Sequence, residues 1–249
     1  MTIIKSAEEI AIMREAGRIV AIILQKMSEA VKPGIKTKQL DELAEREMGK
    51  WSSARCSFKG YHDFPANVCI SVNDEVVHGI PGNKILREGD LVSLDFGVVY
   101  KGFQGDAAIT VGVGKVSQQA QRLMEVTQAS LACGIDAARD GGCLGDIGVA
   151  VQGYVESQGF SVVREYSGHG IGRDMHEDPL IPNFGKQGEG MKLKEGMTFA
   201  IEPMVNVGGW KTRLNSNGWT VHTADRSLSA HFEHTIAIRK SETEILTLL

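Results

Sequence analysis

A short cassette occurs twice in this chain, and its spacing limits the folds the chain can adopt. Leu86-Arg87-Glu88-Gly89 leads into a strand-like run that reaches Asp95. Leu193-Lys194-Glu195-Gly196 leads into a second run that reaches Glu202, and the interval from cassette to acid is the same in both. Each cassette has a further acid downstream, Asp106 in one case and Glu233 in the other. Each is preceded by a histidine in a proline-containing loop, His78 (His78-Gly79-Ile80-Pro81) and His176 (His176-Glu177-Asp178-Pro179). A unit repeated within one chain predicts two similarly folded halves. If those halves face each other, four carboxylates and several imidazoles surround one point. That arrangement suits a pair of divalent metals, and a paired-metal site suggests hydrolysis.

The 249 residues suffice for one large domain or two small ones. Hydrophobic content of 42% with 23% charged residues is that of a soluble globular enzyme. A net charge of −4 gives no electrostatic case for nucleic acid or an anionic membrane, since such binders carry a basic stripe. Apolar runs are too short to span a bilayer. Glu8 and Glu9, with no cleavable apolar core beside them, predict that the N-terminus is not a secretory signal. Cys56, Cys69, Cys133 and Cys143 lack CxxC spacing, so they read as free thiols in a reducing cytoplasm.

Ser6-Ala7-Glu8-Glu9 is a capping box that opens a helix with Ile10, Met13, Gly17, Val20, Leu24 and Met27 on one face, ended by Pro33-Gly34. Thr37 is expected to cap a second helix carrying Leu40, Leu43 and Met48. Val68–Val72 alternates like a strand. Leu91–Val99 and Gln104–Val113 form the arms of a hairpin turning at Lys101-Gly102. The pattern then restarts with helices from Ser117 through Leu131 and from about Leu144 to Gln158, and strands over Phe160–Tyr166, Thr198–Val205 and Leu228–Ile238. No Pro/Ser-rich linker separates the halves. The expectation is a single α+β domain over residues 1–249, with halves of about 1–113 and 114–249.

The chemistry sits on charges that apolar strands do not tolerate unpaired. Asp95 (Ser93-Leu94-Asp95-Phe96-Gly97) and Asp106 (Gln104-Gly105-Asp106-Ala107-Ala108) lie on opposite arms of the hairpin and are expected as cross-strand neighbours. Two such carboxylates repel unless a cation holds them. Glu202 (Ala200-Ile201-Glu202-Pro203) and Glu233 (Phe232-Glu233-His234) repeat the theme, with Pro203 predicting an irregular or edge strand. In Gly168-His169-Gly170-Ile171-Gly172 the flanking glycines leave the imidazole uncrowded. Four carboxylates and two divalent ions nearly cancel in a low-dielectric pocket. One imidazole among four carboxylates is an oxygen-rich donor set. It favours Mn(II), Fe(II) or Co(II) and also admits Zn(II).

Asn73-Asp74-Glu75-Val76-Val77-His78-Gly79-Ile80-Pro81, Ser167-Gly168-His169-Gly170-Ile171-Gly172, Met175-His176-Glu177-Asp178-Pro179 and Phe232-Glu233-His234-Thr235 closely resemble the type I methionine aminopeptidases, in their short bacterial form, over about Ile3 to Ile238. The resemblance implies the pita-bread fold, in which two pseudo-symmetric halves form a curved antiparallel sheet covered by helices. It implies removal of the initiator methionine from nascent chains whose second residue is small. Asp106 and Glu233 would bridge two metals, Asp95 would complete one, and His169 with Glu202 the other. A hydroxide activated by both metals would attack the first peptide bond. His176 would stabilise the oxyanion, His78 would contact the scissile amide nitrogen, and Glu202 would shuttle the proton. Phe58, Tyr61, Phe64, Cys69, His78, Met175, His176 and Trp219 would bind the substrate. Met175 and Asp63 stand where many members have Phe and Gly. The partners implied are peptide N-termini and a transiently bound ribosome, with no nucleic-acid specificity, no membrane and a monomeric, cytoplasmic enzyme.

Two other readings use the same residues. Xaa-Pro peptidases of this fold carry a sizeable N-terminal domain, whereas here the His78 motif opens as early as Asn73. Non-catalytic RNA- or ribosome-binding relatives have lost metal ligands, and this chain has all five.

Overall fold

The computed structural model describes residues 3–249; Met1 and Thr2 of the expected domain lie outside them. The first half opens with helices α1 (Ala7–Ala30) and α2 (Thr37–Met48), then strands β1 (Ala54–Cys56), β2 (Cys69–Val72), β3 (Glu75–Val77), β4 (Leu91–Tyr100) and β5 (Phe103–Gly112). The second opens with α3 (Gln118–Ala137) and α4 (Leu144–Ser157). Strands β6 (Ser161–Val162), β7 (Gly168–Gly170), β8 (Glu177–Ile181), β9 (Thr198–Ile201), β10 (Met204–Asn206), β11 (Thr212–Leu214), β12 (Val221–Thr223), β13 (Ser229–His231), β14 (Glu233–Ala237) and β15 (Glu244–Ile245) follow. Among the described residues no helix is long and apolar enough to cross a membrane.

Capping explains where the helices start. The Ser6 hydroxyl accepts the Glu9 N–H at 3.2 Å and the Glu9 carboxylate accepts the Ser6 N–H at 3.0 Å. At α2 the expectation for Thr37 fails. Lys36 holds the cap position, with its N–H bonded to the Gln39 side chain at 2.9 Å. The Thr37 hydroxyl instead serves Gly82, accepting its N–H at 2.8 Å and donating to its carbonyl at 3.2 Å.

An antiparallel sheet of nine strands forms the centre, in the order β1-β4-β5-β14-β9-β7-β8, with β2 also on β4 and β15 on β14. Its strands alternate. Val92, Leu94, Phe96 and Val98 of β4 pack with Ile19, Val20, Ile23 and Leu24 of α1. Phe199 and Ile201 of β9 and Ile236 of β14 pack with Leu131 and Ile135 of α3. The helices thus cover one face, and the acids lie on the other. Asp95 faces Ala108 and Gly97 faces Asp106, so the two acids are diagonal neighbours on one face and not directly opposed.

The repeat is written in backbone hydrogen bonds. Gly34 N–H meets the Leu86 carbonyl at 2.8 Å and Gly141 N–H meets that of Leu193 at 2.9 Å. Leu86 N–H meets Ile35 and Leu193 N–H meets Gly142. The isolated bridges Lys36–Ile85 and Cys143–Lys192 match as well. Each pair is displaced by the interval that separates the two cassettes, as are the turn glycines Gly89 and Gly196 with φ of 88° and 85°.

Where the halves meet, β5 and β14 share only the register pairs Glu233–Ala108 and His234–Ala107. Two threonines extend the seam. Thr235 Oγ1 accepts the Asp106 N–H at 2.9 Å and donates to the Asp106 carbonyl at 2.7 Å. Thr110 Oγ1 does the same for His231, at 2.9 and 2.8 Å. The two clamps are images of one another at a wider interval than the cassettes, and the difference is taken up by an excursion containing β11 and β12.

That excursion and two breaks correct the expected second half. Thr198–Val205 splits into β9 and β10 at Glu202-Pro203, since proline brings no N–H to a ladder. Leu228–Ile238 splits into β13 and β14 at Phe232, because β13 leaves the large sheet to pair with β10. Phe160–Tyr166 shortens to β6, whose ladder partner among the described residues is the short β10. The Pro179 segment, expected as a loop, is edge strand β8, where a proline needs no partner.

Replacing Thr235 or Thr110 with valine strands a buried backbone N–H and C=O at about 1–3 kcal/mol each. Urea denaturation should therefore show a loss of about 2 kcal/mol or more for each variant, with serine at either position near wild type. A valine variant as stable as wild type would remove the clamps from the account of the seam.

Candidate active site

The thirteen site residues named above converge on one cavity of about 430 Å³, and His62 joins them in its lining. The carboxylates come from both halves. β4 supplies Asp95 and β5 supplies Asp106; Glu202 follows β9, and Glu233 opens β14. His169 is the middle residue of β7, where its Nδ1 lies 2.9 Å from the Gly170 carbonyl. That carbonyl takes a proton on Nδ1, which leaves Nε2 as a lone-pair donor aimed at Glu202 Oε1, 3.7 Å away.

Ligand atoms of Asp106, His169 and Glu233 lie within 4.8 Å of one another. Asp95 Oδ1, Asp106 Oδ1 and Glu233 Oε1 are sealed from solvent with no hydrogen-bond partner. Orphaned anionic oxygens converging on an imidazole fit a divalent cation or two, which would satisfy all of them. The electrostatics agree. Burial pushes Asp95, Asp106 and Glu233 well above the usual carboxylate range, and their mutual repulsion, with that of Glu202, adds to it. Burial alone moves Glu202 up to about 8. Burial moves His169 and His231 down to about 3 and His78 to about 4, with neighbouring imidazoles adding to the effect at His169 and His78. The histidines are therefore neutral near pH 7, as ligands must be.

Around the acids runs an apolar wall. Phe64 meets Trp219 edge-on at 5.1 Å and His78 meets Trp219 edge-on at 6.3 Å. Gly97 lies between Met175 and Phe58, where a Cβ would come within 2.8 Å of either. Trp219 arrives on the loop between β11 and β12, the part of the second half that the first lacks. Asp41 fixes the segment ahead of Cys69, accepting the N–H groups of Asn67 at 2.8 Å and Val68 at 3.1 Å. His62 and Asp63 adopt φ of 46° and 68°. The departure at Asp63 thus falls on a left-handed position, which glycine occupies freely and aspartate better than most residues. His78 is also left-handed, φ 58°, with its carbonyl held by the Thr220 hydroxyl at 3.4 Å.

One feature escaped the sequence. His62 lies one residue from a predicted pocket residue, on a turn whose left-handed backbone no periodicity announces. His231, which its place beside Glu233 in the sequence marks as a candidate support for the site, is buried with Nε2 unpartnered, 3.5 Å from Glu202 Oε2.

Residues 11–240 match metallopeptidase family M24. The chain is 50% identical over 247 residues to methionine aminopeptidase 1 of Bacillus subtilis, covering 99% of each. It superposes on the crystal structure of methionine aminopeptidase from Thermotoga maritima with a TM-score of 0.98 at 44% identity, all of both chains being covered. The prolidase of Pyrococcus horikoshii shares the fold at 23% identity, with a TM-score of 0.78 over 64% of its chain.

Glu233→Gln should remove repulsion without breaking a hydrogen bond to Oε1. In the metal-free state it should melt at or above the wild-type temperature. Mn(II) at a hundredfold excess over its Kd should raise the wild-type melting temperature by about 5–10 °C and that of the variant much less. Equal shifts would exclude Glu233 from cation binding.

Proposed function

Because the chain belongs to metallopeptidase family M24, and within it to the methionine aminopeptidases, we infer that it hydrolyses the first peptide bond of polypeptides beginning with methionine. The carrying observation is the cluster of Asp106, His169 and Glu233 at the end of an apolar cavity. We further propose that Asp95, Asp106, His169, Glu202 and Glu233 hold two divalent ions, with Mn(II), Fe(II) or Co(II) preferred and Zn(II) admitted. When bound, such ions lower the pKa of a water molecule and polarise a carbonyl.

The remaining work falls to the chain. Phe58, Phe64, Cys69, Met175 and Trp219 suit an unbranched, polarisable methionine side chain. Burial keeps His176 neutral, so only one of its nitrogens carries hydrogen. The Tyr61 hydroxyl lies 2.7 Å from His176 Nδ1; as donor to that atom it would leave the hydrogen on Nε2. Nε2–H then donates to the carbonyl oxygen as it gains charge. His78 hydrogen-bonds to the scissile nitrogen. Glu202 takes a proton from the attacking water and delivers it to the departing amine as the C–N bond breaks. The chain works as a single catalytic unit over residues 1–249, its halves dividing near Val113. Nascent chains with a small second residue are its substrates, met by a cytoplasmic monomer in transient contact with the ribosome.

Protein stripped with EDTA should release no methionine from Met-Gly-Met-Met. Added Mn(II), Co(II) or Fe(II) should restore release, and Met-Lys-Gly-Met should stay intact. Metal-independent release, or equal cleavage of both peptides, would overturn the reading. Tyr61→Phe should lower kcat about three- to tenfold, the worth of one neutral hydrogen bond. Unchanged kcat would mean that the hydroxyl does not set the tautomer.

A further inference from the structure

Lys5 lies almost wholly out of water, with its side chain 2% exposed and that of its partner Glu177 6% exposed. A lysine at that depth persists only where its charge is matched. Its ammonium pairs with Glu177 Oε2 and donates to the Ile3 carbonyl at 3.3 Å. The second carboxylate oxygen, Oε1, accepts the N–H of Arg173 at 2.8 Å and that of Asp174 at 3.4 Å. One carboxylate thus gathers the 171–176 loop from outside.

Glu177 is the first residue of β8 and His176 immediately precedes it. His176 closes the bend over residues 172–176, so a grip on Glu177 at its end and on the Arg173 and Asp174 N–H groups within it anchors the backbone that carries the imidazole. The backbone N–H of Lys5 also reaches the Gly196 carbonyl at 2.8 Å, at the turn feeding β9 and Glu202. The segment before α1 therefore touches the supports of both groups from behind the cavity. Gly172 makes this possible, because a Cβ there would lie 2.8 Å from the Lys5 ammonium.

We propose that Lys5 is a positioning residue. Through its ion pair with Glu177, the segment ahead of α1 holds the loop that aims His176 at the substrate carbonyl. The proposal rests on the role given to His176 above.

Three variants and one control test it, in full-length protein reconstituted with Mn(II). Lys5→Met removes the charge, Lys5→Arg keeps it, and Lys5→Met/Glu177→Gln removes both charges while leaving an oxygen for the loop N–H groups. Lys5→Met should lower kcat on Met-Gly-Met-Met by about tenfold or more, since small misplacements cost that much. KM and the Mn(II) affinity should stay within about twofold. Amide exchange at Arg173 and Asp174 should quicken while β4 and β5 stay protected. Lys5→Arg should recover most of the turnover. The double variant should regain the melting temperature but not kcat; it carries the comparison alone if an unpaired buried Glu177 unfolds the single variant. Wild-type kcat in Lys5→Met, or kcat returning in step with melting temperature in the double variant, overturns the proposal. His176→Ala is the control: full turnover there would remove the role of His176 itself, a failure distinct from that of Lys5.

Discussion

The junction between β5 and β14 is the contact on which the rest of the molecule depends. Two register pairs and two threonine clamps join the halves there. Side chains alternate along a strand, so a slip of one residue would turn Asp106 or Glu233 from the cavity toward the helices. A hydroxyl bonded to both the N–H and the carbonyl of one residue admits no such slip. The same junction lets β13 and β14 part at Phe232 without leaving the Asp106 and His231 backbone groups unpaired, so the sheet can splay where the cavity needs room.

That precision serves an arrangement that is unfavourable in its own right. Four carboxylates converge with three of their oxygens unpartnered, and burial and repulsion both disfavour their charged forms. Such a cluster persists because the scaffold on its helix-covered face is well packed, with Phe96 and Phe199 fully buried behind the acids. A cation turns the same repulsion into binding energy, since each oxygen lacking a donor is one that can coordinate. Stability of the scaffold and reactivity of the site are thus divided between the two faces of one sheet.

Much of this was legible in the sequence. The constant interval between the cassettes announced the repeated turns, and acids inside apolar runs marked the cavity face. Cap signals located the starts of α1 and α3 to within a residue, while α3 runs on to Ala137, beyond the expected Leu131. What stayed hidden depends on contacts between distant segments. Thr37 looks like a cap, yet its hydroxyl is drawn to Gly82. The pattern 228–238 contains a break, because β13 pairs with β10 outside the main sheet, whereas Pro203 already marked the one in 198–205. Diagonal placement of Asp95 and Asp106 follows from hairpin register, which composition at Lys101-Gly102 does not fix. The burial of Lys5 depends on Glu177, far along the chain, being folded against it.

A polypeptide has a direction, and a perfectly twofold cage could not tell the amine end of its substrate from the carbonyl that follows. The strands flanking the cage break the tie. β7 lies on β9 as β2 lies on β4, and by ladder register the counterpart of His169 is Ser71, a short hydroxyl where the other side has an imidazole. The β11–β12 excursion adds Trp219 to one side only. Duplication built the cage, and what the two halves do not share gives it a front and a back.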